Sequence, residues 1–343
     1  MTVYSPARTR QIGTDHYLRR SCCFDANLRP PTNPSRVTGP AMTERARGEL
    51  DDLDLRSTEE LVGLVTRDDQ TVAQTVAEAA PQITAAIDAI VERLARGGRL
   101  VYVGAGSSGL LAALDASEIG PTFGSDRVVA LLADGPQTTG NPALDDEDNS
   151  DAGILAIRNV EITADDAVVG VAASGKTRFT IAAVEEARSR GALTVALVCN
   201  AGSPLAAASD FEICVLVGPE IVAGSTRMKG GTAQKLVLNM LSTISMVRLG
   251  RTYGNLMVNV VATNDKLRDR ARRAVAVATS APEADVESAL EAAHGNAPVA
   301  IVALLAGVDA DTAQRRLEEA GGAVRRAIEL AQANDDERQE LRR

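Results

Sequence analysis

The chain has 343 residues, 45% of them hydrophobic, which is enough for a full core and, by length, for about two domains. A net charge of −10, 2% aromatic residues and no apolar run near the roughly 20 residues of a membrane span argue against nucleic-acid, membrane and base-stacking partners. With only His16 and His294, and with cysteines that lack metal-ligand spacing, we expect neither a His-based triad nor a metal site.

The first 45 residues are rich in proline and arginine and have no periodic apolar pattern. We therefore predict a disordered N-terminal extension over residues 1–45. Its arginine content and scarcity of acids are also typical of transit peptides. Alternatively, Met42 is the functional start, and the sequence leaves these alternatives open.

From Ser57 onward the pattern alternates between helices and short apolar strands. Ser57 and Glu60 form a capping-box signature, and Ile83 to Leu94 mark one face of a helix that Gly97-Gly98 closes. Strands are predicted at 100–103, 128–132, 167–172, 193–198 and 211–217. Because these strands are apolar on both faces, we predict an α/β fold with a central five-stranded parallel sheet flanked by helices, and ligands at its carboxyl edge.

The remainder of the chain is predicted to be helical. Helices are expected at 233–249 and 256–279, and Pro282 opens a run of short helices separated by glycines. We therefore predict an α/β domain over residues 46–280 and a small helical C-terminal module over residues 281–335.

Three turns rich in glycine and hydroxyl side chains follow predicted strands. The first is Gly104 to Gly109, and the second is Ser174 to Thr177. The third runs from Gly218 to Thr232 and carries Arg227 and Lys229 just before a helix predicted to begin near Ala233. Helix N-termini with such turns bind anions through backbone N–H groups, although a flexible loop with solvated charges is the plainer alternative.

Two of these turns literally match nucleotide motifs. Gly104 to Gly109 fits the dinucleotide fingerprint, but the later acid that NAD binding requires has only Asp134 as a candidate. Gly170 to Thr177 fits the P-loop pattern, but Gly170 lies inside a predicted strand and no later strand ends in a magnesium-binding aspartate. A better explanation joins the turns in one sugar-phosphate isomerase (SIS) arrangement, where both hold one phosphate ester and its sugar.

These residues resemble the N-acetylmuramic acid 6-phosphate etherase family from about Asp54 to Leu330. The resemblance rests on 103–109, 114–118 with 121–124, 172–177, 218–243, 253–257 and 262–267. It implies a cytoplasmic lyase that cleaves the D-lactyl ether to give N-acetylglucosamine 6-phosphate and D-lactate. It also implies a homodimer, with its site near the subunit boundary, that needs no metal or nucleotide cofactor.

The implied reaction requires an acid and a base that exchange roles. By resemblance, Glu118 matches the family's proton donor, and Glu147 aligns with its second glutamate. Glu118 is expected at the end of a helix, where a glutamate is ordinarily solvated, and Glu147 lies among aspartates that would raise its pKa. The implied substrate-binding residues are Ser107, Ser108, Gly109, Ser174, Gly175, Lys176, Thr177, Glu220, Ser225, Arg227 and Lys229.

The chain departs from the family pattern near both turns. Leu110 and Lys176 stand where the family has arginine, and Arg178-Phe179 replaces Pro-Tyr. A lysine lacks the bidentate phosphate geometry of arginine. The resemblance therefore specifies the reaction type more closely than the range of substrates. A sugar-phosphate sensor without catalysis and a sugar-phosphate isomerase are the alternative functions.

Overall fold

The computed structural model describes residues 41–133, 146–259 and 265–340, within one compact unit. Its strands are β1 (Leu100–Gly104), β2 (Val128–Leu132), β3 (Ala167–Val171), β4 (Leu193–Val198) and β5 (Phe211–Cys214). Its helices are α1 (Thr58–Asp69), α2 (Val72–Glu78), α3 (Ala80–Ala95), α4 (Gly106–Phe123), α5 (Ser150–Asn159), α6 (Arg178–Ser189), α7 (Pro204–Ala208), α8 (Lys229–Arg248), α9 (Asp265–Thr279), α10 (Glu283–Ala292), α11 (Ala297–Ala306), α12 (Ala310–Glu319) and α13 (Val324–Glu340).

The five strands form one parallel sheet in the order β2-β1-β3-β4-β5. Alternate residues of each strand face opposite layers, because side chains alternate along a strand. Leu100 and Tyr102 pack into a core with α2, α3, α4 and α8. Val101 and Val103 pack into a second core with α5, α6 and α7. The sheet is therefore buried on both faces, as the apolar strands predicted.

A third core joins the helices after residue 264. It contains buried side chains from α9 to α13, with Val258 from the segment before α9. The glycines predicted to separate these helices do so, and Gly307 closes α11 in the left-handed conformation. The domain boundaries at 45, 280 and 335 stay predictions, although α9 shares its core with α10 to α13. Residues 1–40 lie outside the described part, and Thr43, which falls within the predicted extension, is fully buried.

Several element boundaries differ from the sequence predictions. Strand β5 ends at Cys214, since its neighbour β4 ends at Val198 and offers no partner beyond. Helix α8 begins at Lys229, and α4 continues past Glu118 to Phe123, where Gly124 ends it at φ +59°.

The predicted helix at 256–279 begins too early. Tyr253 and Leu256 form an isolated antiparallel bridge around Gly254, and the Asn259 side chain donates a hydrogen bond to the Arg251 carbonyl. These contacts make a tight turn in which the backbone cannot continue as a helix.

Among the described helices, none alone is long and apolar enough to cross a membrane. The consecutive helices α10 and α11 pass such a test only together, and the chain bends by 119° between them.

Candidate active site

The first two turns lie side by side at the carboxyl edge of the sheet. Gly104 at the end of β1 is in register with Val171 at the end of β3, so the turns that follow are neighbours. The third turn reaches the same edge: a Cβ on Gly230 would lie 3.6 Å from the Ala173 side chain, and one on Gly231 would lie 3.5 Å from Leu111. Three chain segments therefore converge here, as the sequence predicted for the first two.

The first turn brings α4 very close to β1. A Cβ on Gly109 would lie 2.7 Å from the carbonyl oxygen of Gly104, so only glycine fits there. The Ser107 side chain is exposed, and Ser108 is half-buried. The Ser108 hydroxyl donates a hydrogen bond to Gln234 Oε1 at 2.9 Å, which ties this turn to α8. Gly109 thus allows close packing, and Ser107 is the hydroxyl that faces outward.

The second turn is held against the segment after β4. Gly175 adopts φ +65°, and a Cβ there would lie 2.3 Å from Ser203 Oγ. The Ser174 hydroxyl accepts a hydrogen bond from the Lys176 N–H at 3.1 Å. Lys176 is exposed, and Thr177 is the N-cap residue of α6 without a side-chain cap. The unfilled cap leaves the α6 N-terminus with backbone donors at this edge.

The Glu220 side chain belongs to the third turn and is only 1% exposed. Its carboxylate accepts hydrogen bonds from the N–H groups of Lys229 at 3.1 Å and Gly230 at 2.9 Å. Glu220 therefore binds the N-terminus of α8, where the helix dipole favours a carboxylate. The half-buried Ser225 and the exposed Arg227 lie between them.

Lys229 points toward α1 within the chain. Its Nζ lies 3.0 Å from Asp68 Oδ2, and both carboxylate oxygens of Asp68 accept from Arg47 Nη1 at 2.8 Å. Burial raises the pKa of the Asp68 carboxyl, but hydrogen bonds from Arg47 and Lys229 outweigh it and hold that pKa below its ordinary value. In this arrangement Lys229 is a partner of Asp68.

The segment before α1 also lies at this edge. The Asn200 amide donates to Thr43 Oγ1 and to the Ala173 carbonyl, both at 2.9 Å, and the Gly224 N–H donates to the Thr43 carbonyl at 3.2 Å. A Cβ on Gly224 would lie 2.8 Å from Glu44 Oε2. Residues 43 and 44 thus cover the loops after β3, β4 and β5.

Glu118 lies on an exposed stripe of α4 formed by Ser107, Leu110, Leu114 and Glu118. Leu110 is 45% exposed and Leu114 is 53% exposed. Eleven positions separate Glu118 from Ser107, which is about 16 Å along a helix axis. Within one chain, therefore, Glu118 stands well away from the first turn.

The buried Asp115 lies one turn before Glu118 and accepts a hydrogen bond from the Tyr102 hydroxyl at 3.0 Å. Burial raises the pKa of Asp115, and the negative charge of Glu118 adds to this shift. Carboxyl groups with a raised pKa occur both in active sites and in structural hydrogen-bond networks, so the shift alone does not assign Asp115 to either.

Glu147 is exposed in a short 3-10 turn, Asp146–Asp148, that precedes α5. Next to it, the Asp148 carboxylate lies 3.9 Å from the Arg178 guanidinium, so this turn is close to the start of α6. Its segment contacts the layer of α5 and α6, whereas α4 belongs to the opposite layer. The described residues thus place Glu147 beside the second turn but do not bring it together with Glu118.

Sequence reasoning missed several residues at this edge. Gln234 is 1% exposed, and its Nε2 finds no acceptor among the described residues. Asp68, Thr43 and Asn200 were missed as well, because nothing in their local sequence marks a contact made over a long sequence separation. A polar residue on the apolar face of a helix was the available signal for Gln234.

The described residues bear on the P-loop pattern, on metal ligands and on one buried thiol. Gly170 lies inside β3, packed against Val184, Leu205 and Thr180, so the first glycine of the P-loop pattern is not in a loop. In the described ranges, no group of three or more His, Cys, Asp or Glu residues is arranged to hold a metal ion. At the end of β4, burial raises the pKa of the Cys199 thiol to about 12, so the thiol is protonated.

Comparisons with known proteins identify relatives of this chain. Residues 150–244 match the SIS domain model. The chain is 54% identical over 292 residues to the N-acetylmuramic acid 6-phosphate etherase of Rubrobacter xylanophilus, covering 84% of this chain and 96% of that protein. The proteins of the same name from Streptomyces avermitilis and Escherichia coli O1:K1 are 54% and 44% identical, each over 84% of this chain and over 94% and 97% of their own length.

Among solved structures, a phosphoheptose isomerase from Francisella tularensis is similar to this chain. The TM-score is 0.44 and the sequence identity is 21%, over 56% of this chain and all of that one.

Proposed function

This chain belongs to the N-acetylmuramic acid 6-phosphate etherase family, and we propose that it acts as a carbon–oxygen lyase at the carboxyl edge of its sheet. Its function is to release D-lactate from N-acetylmuramic acid 6-phosphate, leaving N-acetylglucosamine 6-phosphate. The convergence of three turns at one edge carries the proposal, because hydroxyls, a lysine and the open N-terminus of α6 surround one place.

Phosphate and sugar binding is assigned to exposed and half-buried side chains of this edge. In the first turn this is Ser107, and in the second turn it is Ser174, Lys176 and Thr177. Gly109 and Gly175 allow the close backbone packing that shapes both turns. In the third turn, Ser225 and Arg227 are the groups free to reach a ligand, whereas Glu220 and Lys229 hold the loop and α8 in position.

The chemistry requires two groups that exchange protons with the open-chain sugar. A base takes the proton from C2, the C2–C3 double bond forms, and the C3–O bond breaks as the lactate oxygen receives a proton. Water then adds its oxygen to C3 and a proton returns to C2, so atoms and electrons balance. We assign these proton transfers to Glu118 and Glu147, with either one as acid in the first step.

A second copy of the chain would complete this site. Glu118 and Glu147 lie in opposite layers of one chain, and Glu118 shares its exposed stripe with two leucines that are about half exposed and belong to neither core of the sheet. An apolar strip of this kind is typical of a subunit interface. A homodimer joined through the α4 stripe would cover Glu118 and bring it to a shared site, in a protein that works in the cytoplasm.

The first test measures D-lactate released from the muramyl sugar phosphate by the purified protein. We expect wild-type protein and the matched control Glu185→Gln, an exposed glutamate on α6, to release lactate. Glu118→Gln should abolish release while sugar-phosphate binding remains. Wild-type turnover in Glu118→Gln would remove this residue from the mechanism, and binding without any lactate from wild-type protein would indicate a sensor.

The dimer is tested by sedimentation of the double variant Leu110→Ser/Leu114→Ser. We expect a weaker dimer and a parallel loss of lactate release, because the apolar contact area is removed. The control Leu155→Ser changes an exposed leucine of α5, on the opposite layer. A wild-type monomer with full activity would contradict the proposal of a shared site.

A further inference from the structure

A large pocket lies at the other end of the sheet, where β1 and β2 begin. It encloses about 590 Å³ and is bounded by the ends of α3 and α8, by residues before β2, and by the connection between α12 and α13. The candidate active site lies at the carboxyl ends of the same parallel strands. The pocket is therefore separated from that site by the full length of the strands.

Five arginines line this pocket, in a chain that has an excess of acids. They are Arg96, Arg127, Arg248, Arg251 and Arg326, and we refer to it as the arginine pocket. None of the described residues that line it is acidic. Nor does any of these arginines make an ion pair within the described ranges; the Arg127 guanidinium donates to the Leu94 carbonyl, at 3.0 Å. The positive charges here are thus gathered without carboxylate partners.

Arg251 is a partly buried member of this cluster. Burial lowers the pKa of its guanidinium, and the neighbouring charge of Arg127 lowers it further, while Asp126 opposes both. The backbone leaves room for this side chain, since a Cβ on Gly322 would lie 2.7 Å from Arg251 Nη1. Two cations held together with partial loss of water raise the free energy of the fold unless an anion joins them.

Helix dipoles account for only part of the cluster. Arg96 and Arg248 lie at the C-terminal ends of α3 and α8, where a cation is favourable without any ligand. Arg326 lies in the first turn of α13, where the dipole disfavours a cation. Arg127 and Arg251 lie outside the helices altogether. At least three of the five arginines therefore need another explanation.

We propose that the arginine pocket binds a small organic phosphate, independently of the proposed lyase site. A guanidinium group is planar and can bind two oxygens of a phosphate dianion through two parallel hydrogen bonds, and the pocket offers several such groups. The volume lies within the range of roughly 300–1,000 Å³ typical of small-molecule sites, and so leaves room for a carbon skeleton beside the phosphate.

The experiment measures binding of inorganic pyrophosphate by calorimetry at constant ionic strength. All proteins carry Ser174→Ala and Lys176→Gln, so that phosphate binding at the candidate active site is weakened in every sample. Arg248→Gln/Arg326→Gln removes two exposed pocket charges. The matched control is Arg270→Gln/Arg273→Gln, which removes two exposed charges from α9 that do not line the pocket.

We expect saturable binding in the background protein and in the control. The pocket variant should bind at least about tenfold more weakly, since each lost charge-assisted hydrogen bond contributes measurably to affinity. Arg251→Gln, with its folding checked by thermal unfolding, should show the same loss from a different position. The proposal is overturned if the background protein shows no saturable binding, or if the pocket variants bind as tightly as the control.

Discussion

Removing the Glu220 carboxylate should destabilise the protein strongly, although this residue is not assigned to catalysis. The buried carboxylate accepts hydrogen bonds from the N–H groups of Lys229 and Gly230 at 3.1 and 2.9 Å. A hydrogen bond to a charged group contributes about 1.5–3 kcal/mol, and a buried donor left without a partner costs about 1–3 kcal/mol. We therefore expect Glu220→Ala to lower the free energy of unfolding by about 3–5 kcal/mol, after some relaxation by water.

Glu220→Gln should fall between wild type and Glu220→Ala, with a loss of about 1–3 kcal/mol, because the amide keeps one acceptor oxygen and places an NH2 group against a donor. The assay is urea unfolding at fixed protein concentration, which holds the contribution of subunit association constant. Glu185→Ala, on the exposed face of α6, is the control and should change stability by less than about 0.5 kcal/mol. A loss below about 1 kcal/mol for Glu220→Ala would refute the idea that this carboxylate holds the start of α8.

Two further predictions concern the second turn and the sheet. Gly175→Ala should lower the free energy of unfolding by about 2–5 kcal/mol, because the strain of a left-handed alanine adds to a clash with Ser203. The control Gly202→Ala, at a similar φ in open space, should cost about 1–2 kcal/mol. Equal melting temperatures of the two variants would contradict this prediction. Burial raises the pKa of Asp166, but the hydrogen bonds from Arg99 outweigh burial and hold this pKa below its ordinary value. The ionised Asp166 therefore stabilises the fold at pH values above its unfolded-state pKa of about 3.9, and this stabilisation is lost as the pH falls through the folded-state pKa. The stability difference between wild type and Asp166→Asn should thus shrink in acid, and a constant difference from pH 7 to pH 3 would contradict it.

Local sequence patterns were sufficient for the sheet. Five apolar runs with glycine-rich ends predicted the strands and their burial on both faces, since a strand between two helical layers has no polar side. The errors came at the ends of elements, because contacts with residues elsewhere in the chain determine where a strand or helix begins and ends. β5 stops where β4 does, and α8 starts early because Glu220, nine positions before it, fills the role of a cap.

The candidate site was predictable to the extent that its residues belong to turns. Neighbouring parallel strands end at the same edge of a sheet, so it could be expected that the turns after β1 and β3 are neighbours. The contacts of Lys229 with Asp68 could not, because they join segments far apart in sequence through single side chains. For the same reason the ion pair of Lys229 within its own chain could not be expected from the turn alone.

Under the proposed function, one chain would supply the phosphate-binding edge but leave the proposed acid and base, Glu118 and Glu147, exposed to water. General acid–base catalysis gains most where water is excluded and charges act at low dielectric. Glu118 lies on an exposed stripe with two leucines, and Glu147 on an exposed turn of the opposite layer. A surface that covers the leucines would also remove Glu118 from water. We therefore propose that the apolar stripe and Glu118 belong to one subunit interface, and that forming this interface would complete the site.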